Sequence, residues 1–177
     1  RGFSFQADGP LDMRYDTSDG ITAADIVNGW PEAELANLFL MYGEEMAASS
    51  IARAIVERRR RGRFTTTTDL ANVIQDVVPR HGRLHPATRV FQALRIAVND
   101  ELGALRAALP QTEQALKPDG RLLIITFHSL EDRIVKRFFQ SSEVLKAETK
   151  KPVVATLSER TQNPRARSAK LRVARKL

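Results

Sequence analysis

From Thr22 to about Leu109 apolar residues recur at three- and four-residue steps, the spacing of one buried helix face. Thr22 can cap a first short helix through Ile26 and Val27, which Asn28-Gly29 ends. Pro31 is placed as a first-turn proline, with Leu35, Leu38, Phe39 and Tyr42 as the apolar face of the next helix. Gly43 breaks that helix before Glu44 opens another, in which Met46, Ile51, Ala54 and Ile55 share a side. Thr65 to Thr68 with Asp69 open a further helix through Leu70, Val73, Ile74 and Val77, stopped by Pro79. Pro86 starts the longest one, striped by Val90, Leu94, Val98, Leu102 and Leu105, and Pro110 separates it from a shorter helix at 111–117.

The pattern then changes. Pro118-Asp119-Gly120 is a turn signal, and Leu122 to Thr126 is a continuous, β-branched-rich run that predicts a parallel strand covered on both faces. Ser129 follows as an N-cap with Asp132 as its capping-box partner, and Leu130, Ile134, Val135, Phe138 and Phe139 fall at helical spacing. Val153 to Leu157 predicts an edge strand, and alternation at Ala169, Leu171 and Val173 predicts a final strand. Residues 1–20 are rich in Gly, Pro and Asp and read as an irregular loop. Their aspartates lack the spacing of a calcium loop, so no metal site is expected. The pattern is α/β with a helical insertion.

Charge changes the picture. The net charge of +7 and a pI near 10.2 point to a polyanionic partner, nucleic acid first. Arg58, Arg59, Arg60 and Arg61 form a run that is either a solvated helix end or a phosphate contact. Further basic patches lie at Arg80, His81, Arg83 and His85, and at Arg165 and Arg167 beside Ser168. Arg89, Gln92, Arg95 and Asn99 share one helical face, which is a groove lining or a solvated surface. The absence of cysteine excludes disulfides and thiolate chemistry and fits a cytoplasmic location. No apolar run approaches the roughly 20 residues that span a bilayer, so no membrane is expected as a partner. Neither a dinucleotide-binding glycine pattern nor a P-loop occurs.

In an open α/β sheet the ligand crevice lies at the carboxyl ends of the strands, which places Phe127, His128, Ser129, Glu131 and Asp132 at a substrate. His128 reads as a general base or as a structural hydrogen-bonding group. Glu131 and Asp132 point about 100° apart on a helix, so one caps while the other reaches the crevice.

RGFSF at residues 1–5, DGPLDMR at 8–14, YGEE at 42–45, HPATRVFQALRIAVNDEL at 85–102, GRLLIITFHSLEDRIVKRFF at 120–139 and NPRARSAKLR at 163–172 closely resemble successive blocks of the bacterial RsmH (MraW) family. The resemblance implies a class I, Rossmann-like S-adenosyl-L-methionine-dependent methyltransferase with an inserted all-helical domain, acting on the 4-amino group of cytosine 1402 of 16S rRNA in the small ribosomal subunit. On that template residues 1–21 are a loop of the methyltransferase domain, 22–109 the helical insertion, and 110–177 the C-terminal part of the methyltransferase domain.

It also implies that the cofactor pocket belongs to blocks preceding RGFSF. No residue here is then assigned to the cofactor, and the chain, starting at Arg1, reads as a fragment inactive alone. Asp12, His128, Ser129 and Glu131, with Arg14, are the candidates for the target-base pocket. Arg14, Arg58 to Arg61, Arg89, Asn99, Arg165 and Arg167 are those for RNA contact, the last four serving alternatively to hold the two domains together. The alternative is a non-catalytic RNA-binding or ribosome-assembly module. A homodimer is a further expectation, because a truncated sheet exposes an apolar edge that a second copy could cover.

Overall fold

The computed structural model describes residues 2–78 and 85–177, so the stop expected at Pro79 and the basic residues Arg80, His81 and Arg83 lie outside the described residues. The chain divides into two units, Arg1–Glu101 and Leu102–Leu177.

In the first unit the helical periodicity becomes α1 (Ala23–Gly29), α2 (Glu32–Gly43), α3 (Ala48–Arg59), α4 (Thr67–Val77) and α5 (Ala87–Asn99). The caps follow the local chemistry. Thr22 accepts from the Asp25 amide while Asp25 accepts from Thr22, a complete capping box, and Thr66 caps α4 through the Asp69 amide. Pro31 stands one residue earlier than expected, as the N-cap of α2. Ile26, Leu35, Phe39, Ile51, Ile55, Leu70, Ile74 and Leu94 are fully buried in one core.

Loop residues join that core. Leu11 and Met13 are buried, and Leu11 donates to Thr65 O (3.0 Å) while its own carbonyl accepts from Ala24 (2.8 Å).

Two helix boundaries differ from the periodic reading. Met46 lies outside α3 and is 85% exposed. Glu44 adopts a left-handed conformation, and Glu45 turns the chain back by donating to Phe39 O and accepting from the Ala47 amide. The long helix after Pro86 is broken at Asp100, also left-handed, and α6 (Glu101–Ala115) carries Pro110 in its interior. The break is held by non-local bonds: Asn99 Nδ2 donates to Met13 O (2.8 Å), its Oδ1 accepts from Tyr15 N (2.8 Å), and Arg95 pairs with Glu101 at 2.6 and 2.9 Å.

The second unit contains most of α6, then β1 (Arg121–Thr126), α7 (Ser129–Ser141), β2 (Leu145–Ala147), β3 (Val153–Val154), α8 (Leu157–Gln162), a 3₁₀ turn (Pro164–Ser168) and β4 (Lys170–Lys176). β4 is the shared partner: β1 runs antiparallel along 170–175, β2 pairs with its C-terminal residues and β3 with Leu171 and Lys170. The strand expected to be parallel and covered on both faces is therefore antiparallel and covered on one. Leu122 and Ile124 pack with Val135, Phe139, Leu109 and Ala174, while Leu123 and Ile125 are 58% and 59% exposed.

Ile125, Leu171 and Val153 align across three strands, and Leu123 lies opposite Val173, so the outward face is apolar. The alternation foreseen in the last strand exists, but its buried positions are Arg172 and Ala174. The edge strand stops at Val154 because Thr156 caps a helix beginning at Leu157. Strand β2 and helix α8 carried no clear pattern in the sequence.

Gly43 sits where α2 meets α5, and a Cβ there would lie 2.7 Å from the Arg89 carbonyl oxygen. Gly43→Ala should lower stability by about 1–3 kcal/mol in urea titration, an overpacking cost. Gly29→Ala, where a Cβ meets nothing within 4 Å, should leave stability unchanged or slightly raised.

Candidate functional site

The turn between β1 and α7 is closed by its own side chains. Glu131 Oε2 accepts from the amides of Phe127 (2.7 Å) and His128 (3.3 Å), and His128 Nδ1 accepts from the Glu131 amide (3.4 Å). His128, not Ser129, is thus the N-cap, with Glu131 in place of Asp132 as its capping-box partner. A histidine whose Nδ1 accepts carries its neutral-form proton on Nε2, which stands 3.3 Å from Glu131 Oε1. The ring's lone pair is spent on the cap. Ser129 is the first helical residue, and Phe127 is exposed beside it.

Asp132 goes inward. Its carboxylate accepts from Arg172 Nε (2.7 Å) and Nη2 (3.1 Å), with Lys170 Nζ at 3.4 Å, joining α7 to β4. The bonds from Arg172 hold the Asp132 carboxyl below its ordinary value, outweighing the opposing effect of burial. So one acid caps, as foreseen, but the other makes a buried ion pair and does not face a crevice.

The loop candidates in the first unit are also tied down. Asp12 grips Arg14 with both oxygens, at 2.7 and 3.1 Å, and Arg14 reaches the Asp19 and Gly20 carbonyls at 3.4 Å. This fork lowers the Asp12 carboxyl and raises the Arg14 guanidinium from their usual values. Asn99 clamps the same loop through Met13 and Tyr15. Arg89 donates to Glu44 O (3.2 Å) near the Glu45 carboxylate.

The arginine run splits. Arg58 makes a fork on Asp69 (2.7 and 2.8 Å) and lies 5.0 Å over the Phe64 ring, while Arg59 donates to the Val27 and Trp30 carbonyls at the end of α1. These two are thus bonded within the unit rather than simply solvated. Arg60 and Arg61 are exposed, as are Arg165 and Arg167 on the 3₁₀ turn of the second unit.

Sequence reasoning missed two features. The first is a cleft of about 450 Å³ between α2 and α5, lined by Trp30, Glu34, Asn37, Met41, Tyr42 and Asp100; its residues are too scattered to form a motif. The second was countable from the letters once the unit boundary is known. Residues 102–177 hold 16 Lys and Arg against 7 Asp and Glu, net +9, whereas residues 1–101 hold 12 against 14, net −2. The excess positive charge therefore belongs to the second unit, not to the helices carrying the arginine run. Among the described residues no helix is long and apolar enough to cross a membrane.

The family model described as the MraW methylase family matches residues 1–177. The chain is 57% identical over 180 residues to "Ribosomal RNA small subunit methyltransferase H" of Synechocystis sp., covering 100% of this chain and 58% of that protein. It is 55% identical over 179 residues to the protein of the same name from Nostoc sp. (99% and 58% covered), and 54% over 193 residues to that of Methylobacterium nodulans (97% and 57%). The chain thus spans somewhat under three fifths of the length of these curated relatives.

Asp132→Ala leaves Arg172 buried and unpaired and should cost about 3 kcal/mol at neutral pH by urea titration. Because the folded-state value of Asp132 is depressed, its contribution is fully present above the ordinary aspartate value of 3.8 and is lost as pH falls through the lower, folded value. The stability gap between wild type and Asp132→Asn should therefore be constant above about pH 5 and close in stronger acid.

Proposed function

The chain belongs to the MraW methylase family, and on that premise we propose that the complete protein methylates the 4-amino group of cytosine 1402 in 16S rRNA, using S-adenosyl-L-methionine. What carries this reading is the match over the whole chain, at 54–57% identity, to proteins named as small-subunit rRNA methyltransferases. The net charge of +9 on residues 102–177 adds a physical reason for an RNA substrate.

The β1–α7 turn does not fit the cofactor. The amides of Phe127, His128, Glu131 and Asp132 at the β1–α7 turn are already bonded within the turn. The glycines at positive φ, Gly2, Gly20 and Gly62, lie in loops and not at a strand-to-helix turn. We place the cofactor pocket in the part of the relatives' length that this chain does not span.

The same holds for the fold. A Rossmann-like sheet is supported by the exposed apolar face of β1 and β4, since covering the still exposed part of Leu123 and Ile125 would contribute about 1–2 kcal/mol each. In this reading 1–21 and 110–177 belong to the methyltransferase domain and 22–109 to the helical insertion, and the cell compartment is the cytoplasm.

An unpaired base must be splayed out and held for such a reaction, and much of the rate comes from placement. Asp12 and Arg14 shape the loop, and His128, Ser129 and Glu131 shape the strand-tip turn. The side chains of Asp12 and Arg14 in the first unit are bonded to each other, and those of His128 and Glu131 in the second to the backbone of their turn, so in this reading each pair shapes its own segment and is not a proton carrier. A non-catalytic RNA-binding or assembly role is the second reading, favoured by the same charge excess.

The full-length protein should transfer a labelled methyl group to small-subunit RNA. Asp12→Ala, which frees Arg14 and its loop, should lower kcat by up to about 100-fold with RNA affinity held within about twofold. No transfer by folded full-length protein overturns the methyltransferase reading. Unchanged kcat in Asp12→Ala overturns the role given to the loop.

A further inference from the structure

The second unit has a cleft of about 260 Å³ beside α7 and the segment after β2, where Lys136, Gln140, Thr149, Lys150 and Arg172 surround a floor that includes Phe139. Three cations line it and, among the described residues, no carboxylate does. Asp132 already offsets Arg172, so Lys136 and Lys150 are the cations that no carboxylate of the lining offsets, and the surrounding chain adds to the field. Arg133, Lys136, Arg137 and Gln140 recur at three- and four-residue steps on α7, and Lys151 follows Lys150.

The donors differ in stiffness. Arg172 is 7% exposed and its guanidinium is fixed by Asp132 at Nε and Nη2, which leaves the Nη1 hydrogens for another acceptor. Thr149 Oγ1 accepts from Val173 N at 3.4 Å, so its own proton is available to donate. Lys136 and Lys150 are exposed, movable point charges at the rim. A buried fork, a hydroxyl, an amide and two mobile ammonium groups make up a set of donors for phosphate oxygens.

We propose that this cleft binds a backbone phosphate of single-stranded RNA and is the principal electrostatic anchor of the chain on its substrate. The proposal rests on the RNA reading above and adds a site outside both the loop and the strand-tip turn. It is sequence-independent: a phosphate anchor fixes register and orientation without reading bases.

The test is fluorescence anisotropy of a labelled single-stranded RNA of mixed sequence with the 177-residue chain, across a series of salt concentrations. For single strands, removing one cation that neutralises a phosphate flattens the slope of log K against log salt by about 0.7. Lys136→Ala with Lys150→Ala, which removes the two movable cations around that one phosphate, should therefore flatten it by about 0.7 and weaken binding equally for unrelated RNA sequences, with the thermal midpoint unchanged. Lys136→Arg with Lys150→Arg should keep the wild-type slope. Arg60→Ala with Arg61→Ala, in the unit with net charge −2, should change it less than the cleft pair.

An unchanged slope in the folded cleft double variant overturns the proposal, as does a larger effect in the Arg60/Arg61 pair or no RNA binding by the wild-type chain. Methyl transfer by the full-length protein is read separately. Transfer with an unaffected slope removes the cleft alone, and absence of transfer with a flattened slope removes only the catalytic reading.

Discussion

The pairing of Asp132 with Arg172 sets the register on which the second unit depends. β4 is the common partner of β1, β2 and β3, and each of its residues faces either the helices or the outside. A slip of one residue would turn Leu171 and Val173 inward and send Arg172 out, which apolar burial alone would favour. The carboxylate on α7 meets the guanidinium with two hydrogen bonds at 2.7 and 3.1 Å and makes the observed register the one without an unpaired buried charge. The cost of burying ions is thereby converted into specificity. The same pair fixes one wall of the basic cleft, so the interaction that orders the sheet also presets a phosphate donor.

The first unit uses another device: side-chain amides bonded to distant backbone. Asn28 donates to Phe64 O and accepts from Phe64 N, tying the end of α1 to the segment before α4. Asn99 does the same for Met13 and Tyr15 at the point where α5 breaks. Such bonds satisfy polar backbone groups that a loop would otherwise expose or leave unpaired. They also tie an irregular loop carrying Asp12 and Arg14 to the helices it rests on.

Charge in this protein divides between structure and recognition. Arg58, Arg59, Arg95 and Arg172 are bonded to carboxylates or carbonyls of the fold, whereas Lys136, Lys150, Arg165 and Arg167 stand at the surface. A run of arginines is therefore a poor guide to where a polyanion binds, because guanidinium groups serve equally well as intramolecular clamps. Exposure and the absence of neighbouring acids separate the two uses.

How much was legible in the letters depends on the range of the forces involved. The existence of most helices, the cap at Thr22, the opening of α4 within Thr65 to Thr68, and the amphipathic face of α7 were determined by the sequence alone, since they rest on interactions three or four residues apart. The family blocks were legible too, being strings of residues. Tertiary structure decided the rest. Which face of β4 is buried, why the helix breaks at Asp100, which of Glu131 and Asp132 turns inward, and which arginines are bonded within the fold turn on partners outside the local pattern. A buried charge or a left-handed residue costs free energy locally and is stable only when a distant group completes it, so no local pattern announces it.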